Sequence, residues 1–261
     1  MIKEEIRFAN NNVMEGMVSF RAVIEAMKTK KNYDRRITKV YFDRSRIKNI
    51  SGHLSYIKAM SYEFGFDVIA AEKEDVDKMC IGSTHGGIVF ECSDRTYPNI
   101  TEYSLKKDGF AVILDGIEDP YNFGFAVRAL YAAGVDVLVV PRRNWLSTAG
   151  VVCRSSAGAS ELMDIALFDS DTFAEYFHQN GYRIVCAELE NSVSCWEADL
   201  GLPLCLVIGG ERRGISASVK GCCDEFVRID YGRDFPAALS ASAASTVLAF
   251  EVLRQNGKKS V

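Results

Sequence analysis

Apolar residues fall along the first part of this chain in two different rhythms. Between residues 16 and 28, Phe20, Val23, Ile24 and Met27 recur at spacings of three and four, which predicts an amphipathic helix with one buried face. ITKVYF (37–42) alternates apolar with polar positions, as a half-covered strand does. Leu54, Ile57, Met60 and Phe64 mark a second helix and FDVIAA (66–71) a second strand. A short acidic helix over 72–80 and a third strand, GIVFEC (87–92), complete a small α/β unit spanning 1–95. Periodicity is lost over SDRTYPNITEYSLKKD (93–108), where Pro98 stands among polar residues, so 96–108 is the expected linker.

Beyond the linker the apolar runs become short and almost unbroken. AVILD (111–115), VDVLVV (135–140), DIALF (164–168), YRIVCA (182–187), LCLVIGG (204–210) and FVRID (226–230) read as strands. Helices are predicted around 123–133, 171–180 and 216–222, with a last one from near Pro236 to the Asn256-Gly257 stop signal. Strands without polar alternation, separated by helices, imply a parallel sheet covered on both faces. Ligands of such sheets lie beyond the carboxyl ends of the strands. That rule singles out three loops: DGIEDPYNFGFAVRAL (115–130), GGERRGIS (209–216) and DYGRDFPAALSASAAS (230–245).

Composition narrows the picture. With 48% hydrophobic and 25% charged residues in 261, the chain is neither disordered nor fibrous. Its formal charge of −4 argues against a strongly basic nucleic-acid binder only until it is divided: residues 1–50 carry +6 and the rest −10. An anionic partner would therefore meet the N-terminal part, where Arg35, Arg36, Lys39, Arg44, Arg46 and Lys48 flank one predicted strand. No apolar run approaches the roughly 20 residues of a membrane helix, and MIKEEIRFAN mixes both charge signs, unlike a signal-peptide core. No membrane partner is expected. Eight cysteines occur without a CxxC spacing or a histidine placed to complete a zinc site, so no metal is expected either. Several, such as Cys186 and Cys205, sit in apolar runs, which predicts buried reduced thiols and a cytoplasmic location; a redox role for the vicinal Cys222–Cys223 pair carries little weight.

Each of the three loops has a plain structural reading beside a chemical one. In the first, Asp119-Pro120 favours a turn and Asn122 is placed as a helix N-cap, with Arg128 on the helix beyond it. The second is neither GxxxxGK[ST] nor GxGxxG, so no ATP-type or dinucleotide-type phosphate cradle is indicated; Glu211 could pair with Arg128. The small residues of the third allow another backbone to approach closely. His53, His85 and His178 are dispersed, which leaves a histidine-based triad without support.

Taken together and in order, DGIEDPYNFGFAVRALYAAGVD, SSAGAS, LVIGGERRGIS and a closing small-residue helix with Glu251 resemble the SpoU/TrmH family. These are SPOUT-class RNA ribose 2′-O-methyltransferases that use S-adenosylmethionine. The resemblance covers roughly 110–255, and its first motif, Asp-Pro-x-Asn-x-Gly-x-x-x-Arg-Ala, is the specific one. It implies a SPOUT-type trefoil-knotted parallel sheet flanked by helices over 109–261, a homodimer formed through that catalytic domain, and an L30e-like α/β RNA-binding domain over 1–95. The last rests on THGGIVFE (84–91), which stands where the family often has a His-Gln-Gly turn, here with Gly86 for Gln. Residue by residue, Asn122, Arg128, Glu211 and Ser240 fall on the catalytic positions, and Gly209, Ile229 and Leu239 where mainly backbone groups hold the cofactor.

Two departures bear on function. The third motif usually reads Ser-Leu-Asn-x-Ser; here it is Ala238-Leu239-Ser240-Ala241-Ser242, and the usual Ile-Pro-Met before it is Ile229-Asp230-Tyr231. Ser240 has a shorter reach than asparagine and lacks its pair of amide donors. The resemblance therefore implies a methyltransferase of ribosomal or transfer RNA. The altered third motif keeps open a non-catalytic RNA-binding member of the same fold, acting in RNA assembly. A nucleotide-binding regulator that uses the GGERRGIS loop without RNA is a weaker third idea.

Overall fold

A computed structural model describes residues 12–82, 85–141, 148–168 and 172–257. The N-terminal MIKEEIRFAN stretch, Thr84 of the 84–91 segment and the first residue of the predicted 171–180 helix lie outside the described residues. The chain forms two compact units: Met1–Thr96 together with Asn144–Leu162, and Tyr97–Arg143 together with Met163–Val261. The first therefore draws in a stretch expected to lie wholly in the second.

In the first unit, β1 (Val13–Glu15), β2 (Ile37–Asp43), β3 (Asp67–Ala71) and β4 (Ile88–Cys92) make a four-stranded sheet in the order β1-β4-β2-β3. Helices α1 (Gly16–Thr29), α2 (Ser51–Phe64) and α3 (Lys73–Met79) belong to this unit. Phe20, on the apolar face of α1, is fully buried and meets Tyr56, Phe66 and Phe90 edge-on at centroid distances of 6.1, 6.0 and 5.5 Å. Offset or edge-to-face geometry is what the ring quadrupoles favour. Two short helices, α5 (Ala149–Ser155) and α6 (Ala159–Leu162), pack against α1, and α5 also against β1. They carry Cys153 into the same core, where burial pushes its thiol up to about 12.

The second unit holds a seven-stranded sheet in the order β7-β6-β5-β10-β8-β11-β9, every recorded pairing parallel. Its strands are β5 (Phe110–Asp115), β6 (Val137–Pro141), β7 (Ile165–Phe168), β8 (Arg183–Ala187), β9 (Val193–Ser194), β10 (Leu204–Gly209) and β11 (Glu225–Arg228). All six residues of β5 are buried, as continuous apolar runs in a doubly covered sheet require. The helices are α4 (Pro120–Ala132), α7 (Phe173–Gln179), α8 (Ala217–Lys220) and α9 (Ala241–Gln255). The expected linker is not loose throughout: Ile100 is fully buried in this core, and the backbone of Leu167 donates to Pro98 O at 2.8 Å.

The cysteine reading needs one correction. Cys186 and Cys223 are joined by a disulfide, their Cα atoms 6.1 Å apart, while Cys80, Cys92, Cys153, Cys195 and Cys205 are free and buried. The partner of Cys223 is thus not its neighbour Cys222 but a residue on β8, brought near by the parallel pairing of β8 with β11. No helix among the described residues is long and apolar enough to cross a membrane.

Candidate active site

The first turn of α4 decides what Asn122 can do. Asp119, not Asn122, is the N-cap: its carboxylate accepts from Tyr121 N (3.2 Å) and Asn122 N (3.3 Å), with Pro120 opening the helix. The expected cap is displaced by three residues because aspartate before proline already supplies the acceptor and the fixed φ. Asn122 is left with its side chain uncommitted to the helix end. Its Nδ2 donates instead to Glu211 Oε1 at 2.8 Å, joining the first and second motifs.

Glycines make that meeting possible. Gly210 and Gly214 exchange backbone hydrogen bonds of 3.3 and 2.9 Å, closing the GGERRG loop on itself. A Cβ on Gly210 would collide with Gly116 O, and one on Gly209 with the backbone of Gly214 and Ile215. The carboxylate of Asp115, at the end of β5, accepts from Ser216 N at 2.8 Å and fixes the far side of the loop. Glu211 is thereby held over the carboxyl ends of β5 and β10, where Asp115 and Gly209 are register partners.

Arg128 is not drawn into this pair. It is exposed on α4, and no ion pair or hydrogen bond of its side chain is recorded among the described residues; the pairing with Glu211 anticipated for it is made by Asn122. Arg128 shares its exposed stripe with Tyr121 and Phe125, which are 45% and 50% exposed.

Next to Glu211 lies a cavity of about 210 Å³. Its wall is formed by the ends of β8, β10 and β11, the loop that follows β11 and the first turns of α9. Gly209, Ile229 and Leu239 all line it. Small residues at the start of α9, Ala241 and Ala244, form part of the wall, so their size is used for a cavity as well as for packing. Three charged residues line it: Glu188, Glu211 and Arg228. The hydrogen bond from Lys220, at 2.5 Å, holds the Glu188 carboxyl below its ordinary value against the opposing effect of partial burial. Arg228 is occupied by Asp230 Oδ1 (2.9 Å) and by Ser192 O. Ser240 lies outside the cavity lining and caps α9, accepting from Ala243 N at 3.2 Å. The last helix accordingly begins at Ala241, several residues after Pro236.

Sequence reading missed Glu188 and Tyr231, both on the cavity wall. The position of Glu188, just past the carboxyl end of β8, was the available signal.

The basic residues of the first unit divide. Arg35 is 3% exposed, 3.6 Å from Glu161, and cannot present its guanidinium to a phosphate; it is removed from the predicted RNA surface. Burial pushes the Glu161 carboxyl up, but Arg35 and Arg95, with hydrogen bonds from Tyr33 (2.5 Å) and Ser160, outweigh it and hold the group below its ordinary value. Lys39 and Lys48 are exposed. Arg36 is exposed and reaches the backbone oxygens of Tyr33 and Arg35, Arg44 pairs with Glu72 at 2.9 Å, and Arg46 lies 3.5 Å from Asp43.

Comparison with known proteins now decides the family. The SpoU rRNA Methylase family profile matches residues 109–250, more than half of the chain. The chain belongs to the SpoU rRNA methylase family. It is 37% identical over 210 residues to a Staphylococcus saprophyticus protein assigned by name to the TrmH family of tRNA/rRNA methyltransferases, covering 78% of this chain and 84% of that one. It is 30% identical over 199 residues to the 23S rRNA (guanosine-2′-O-)-methyltransferase RlmB of Shewanella oneidensis, covering 74% and 80%. The AdoMet-bound rRNA methyltransferase of Sinorhizobium meliloti has the same fold, with a TM-score of 0.75 at 20% identity over 97% of this chain and 94% of that one. For this SpoU-family chain, the Asn122–Glu211 contact joins two segments that both lie inside the matched region.

Proposed function

We propose that this chain methylates a ribose 2′-hydroxyl in structured RNA, ribosomal or transfer, with S-adenosylmethionine as the methyl donor. The observation that carries the reading is the Asn122–Glu211 hydrogen bond beside the cavity at the strand ends. The lining fits such a cofactor: apolar walls from Val227, Leu239 and Leu248 suit a purine, the backbone of Gly209 forms part of the wall, and the acidic lining residues Glu188 and Glu211 suit hydroxyls and a cationic centre. When bound, the cofactor supplies a strongly electrophilic sulfonium methyl. The chain's task is then to align the 2′-oxygen and help it lose a proton.

Asn122 gives Nδ2–H to Glu211 and keeps Oδ1 as an acceptor for a ribose hydroxyl. A guanidinium is effectively always protonated, so Arg128 acts as a cation: it binds the adjoining phosphate and stabilises the developing alkoxide. Asn122 would hold the 2′-hydroxyl in line with the methyl group that the bound cofactor supplies, and the hydroxyl proton would pass to the phosphate held by Arg128 or to water.

Within this reading the second unit is a trefoil-knotted SPOUT domain, the first an L30e-like RNA-binding domain, and the working form a cytoplasmic homodimer. Helices α4 and α9 pack together and expose Tyr121, Phe125 and Phe250, the last 44% exposed. Large apolar side chains left on adjacent helices suit a second copy, and Arg128 stands among them. Arg36, Lys39, Arg44, Arg46 and Lys48 then form the RNA-facing set.

Ser240 favours a second reading, since it is committed to capping α9 where the family motif has asparagine. This is the non-catalytic RNA assembly factor. Transfer of labelled methyl groups to total cellular RNA separates the two. Wild type should label RNA, Arg128→Ala should lose at least tenfold, and Arg128→Lys should recover little, because a point charge does not replace a planar fork. Cofactor binding without labelling in any of the three would favour the assembly factor.

A further inference from the structure

Between the end of β11 at Arg228 and the start of α9 at Ala241 the chain makes a loop whose two ends both line the cavity. Ile229 and Tyr231 stand at one end, Ala238 and Leu239 at the other. Residues 232–238 between them are exposed, and no backbone–backbone hydrogen bond is recorded for 229–239 among the described residues. Asp230 anchors the loop at its start by accepting from Arg228 Nε at 2.9 Å, and Tyr231 ties its two ends: the backbone N–H of Leu239 donates to the Tyr231 hydroxyl at 3.0 Å. The Tyr231 ring is half-buried and the Phe235 ring tilts toward it, with centroids 6.3 Å apart, so the apex of the loop folds over the same residue.

We propose that Tyr231 is a positioning residue for the cofactor, acting through Leu239: its hydroxyl closes the 231–239 loop into a ring and sets one wall of the cavity before any ligand arrives. The inference rests on the reading of this cavity as the methyl-donor site. An exposed loop of this length loses conformational freedom when it is ordered against a ligand, and a contact that orders it beforehand removes that cost from binding. The residue type matters. The corresponding stretch of the resembled motif is Ile-Pro-Met, and methionine has no hydroxyl to accept the Leu239 N–H. Tyr231 therefore supplies a fixation that the motif itself does not provide, in the chain whose third motif has lost its asparagine.

The test uses the full chain in two measurements. Titration calorimetry with S-adenosylmethionine compares wild type, Tyr231→Phe and Tyr231→Ala, with thermal unfolding of each unliganded protein alongside. Tyr231→Phe keeps the ring and should lower the unliganded unfolding midpoint by about 2–4 °C at most, while weakening cofactor binding roughly 3- to 10-fold, the range one net hydrogen bond spans. In turnover the same variant should raise KM for the cofactor and retain kcat at saturation. Tyr231→Ala should weaken binding further. Amide hydrogen exchange supplies the second measurement: Leu239 N–H should be protected in wild type and exchange faster in Tyr231→Phe, with or without cofactor. Equal or tighter binding by Tyr231→Phe would overturn the proposal. If wild type failed to bind S-adenosylmethionine, the cofactor reading would fall and this role with it. Equal Leu239 exchange in wild type and Tyr231→Phe would overturn the closure of the loop itself.

Discussion

Arginine has several fates in this chain, and burial rather than residue type separates them. Arg35 is sealed in the first unit against Glu161, Arg44 and Arg46 are exposed with acidic neighbours, and Arg128 projects from α4. Spacing along the sequence grouped Arg35 with Arg44 and Arg46, because charge density is legible there and solvent exposure is not. The same blindness misplaced the N-cap of α4: Asn122 is a good capping residue in isolation, but Asp119 before Pro120 takes the role and releases it. A direct contrast follows. Reversing Arg44, Arg46 and Lys48 together to glutamate should weaken RNA binding and reduce the slope of log K against log salt by about two to three, at roughly 0.7–0.9 per phosphate contact. Arg35→Gln should leave that slope unchanged and lower the melting temperature instead. Salt titration of RNA binding checks both, and an unchanged slope in the triple variant would remove those three from the RNA-facing surface.

Long elements were legible and short ones were not. The 14-residue helices of the first unit and the continuous apolar strands of the second follow from periodicity because each offers several turns or an uninterrupted run. Strand β1 has three residues and α6 four, too few for any period, so their packing into the first unit had no local signal. Yet α6 supplies Glu161, the buried acid on which Arg35, Arg95 and Tyr33 converge. The folded protein holds this carboxyl below its unfolded value, so its contribution to stability is complete above about pH 4.3 and is lost as pH falls through the lower, folded value. Burial and the Glu161 carboxylate together push the Tyr33 hydroxyl far above the ordinary tyrosine range, so it stays a donor across this window. Thermal midpoints of wild type should therefore fall steeply below about pH 4. Those of Glu161→Gln should start lower, by the equivalent of roughly 3 kcal/mol for two buried guanidinium groups left without their acid, and respond less to pH. Parallel pH profiles of the two proteins would assign the acid instability elsewhere.

At the scale of the whole molecule, the charge divides into +6 over the first fifty residues and −10 over the remainder. The acidic remainder contains the cavity and makes a poor general surface for RNA, so the few placed cations must work locally. The geometry within one chain joins Asn122 to Glu211 but leaves Arg128 on an exposed stripe with Phe125, with no hydrogen bond or ion pair among the described residues. If a second copy seats on α4 and α9, the same stripe that holds the dimer carries Arg128 to the place where it acts. Phe125→Asp tests this economically, since the side chain is half exposed and its loss removes little from the core. The variant should sediment as a monomer and bind S-adenosylmethionine with little change, because every residue lining the cavity belongs to one unit of one chain. Methyl transfer to RNA should fall at least tenfold. A variant that stayed dimeric would show that the partner sits elsewhere, and a monomer with full transfer would show that Arg128 serves the site of its own chain.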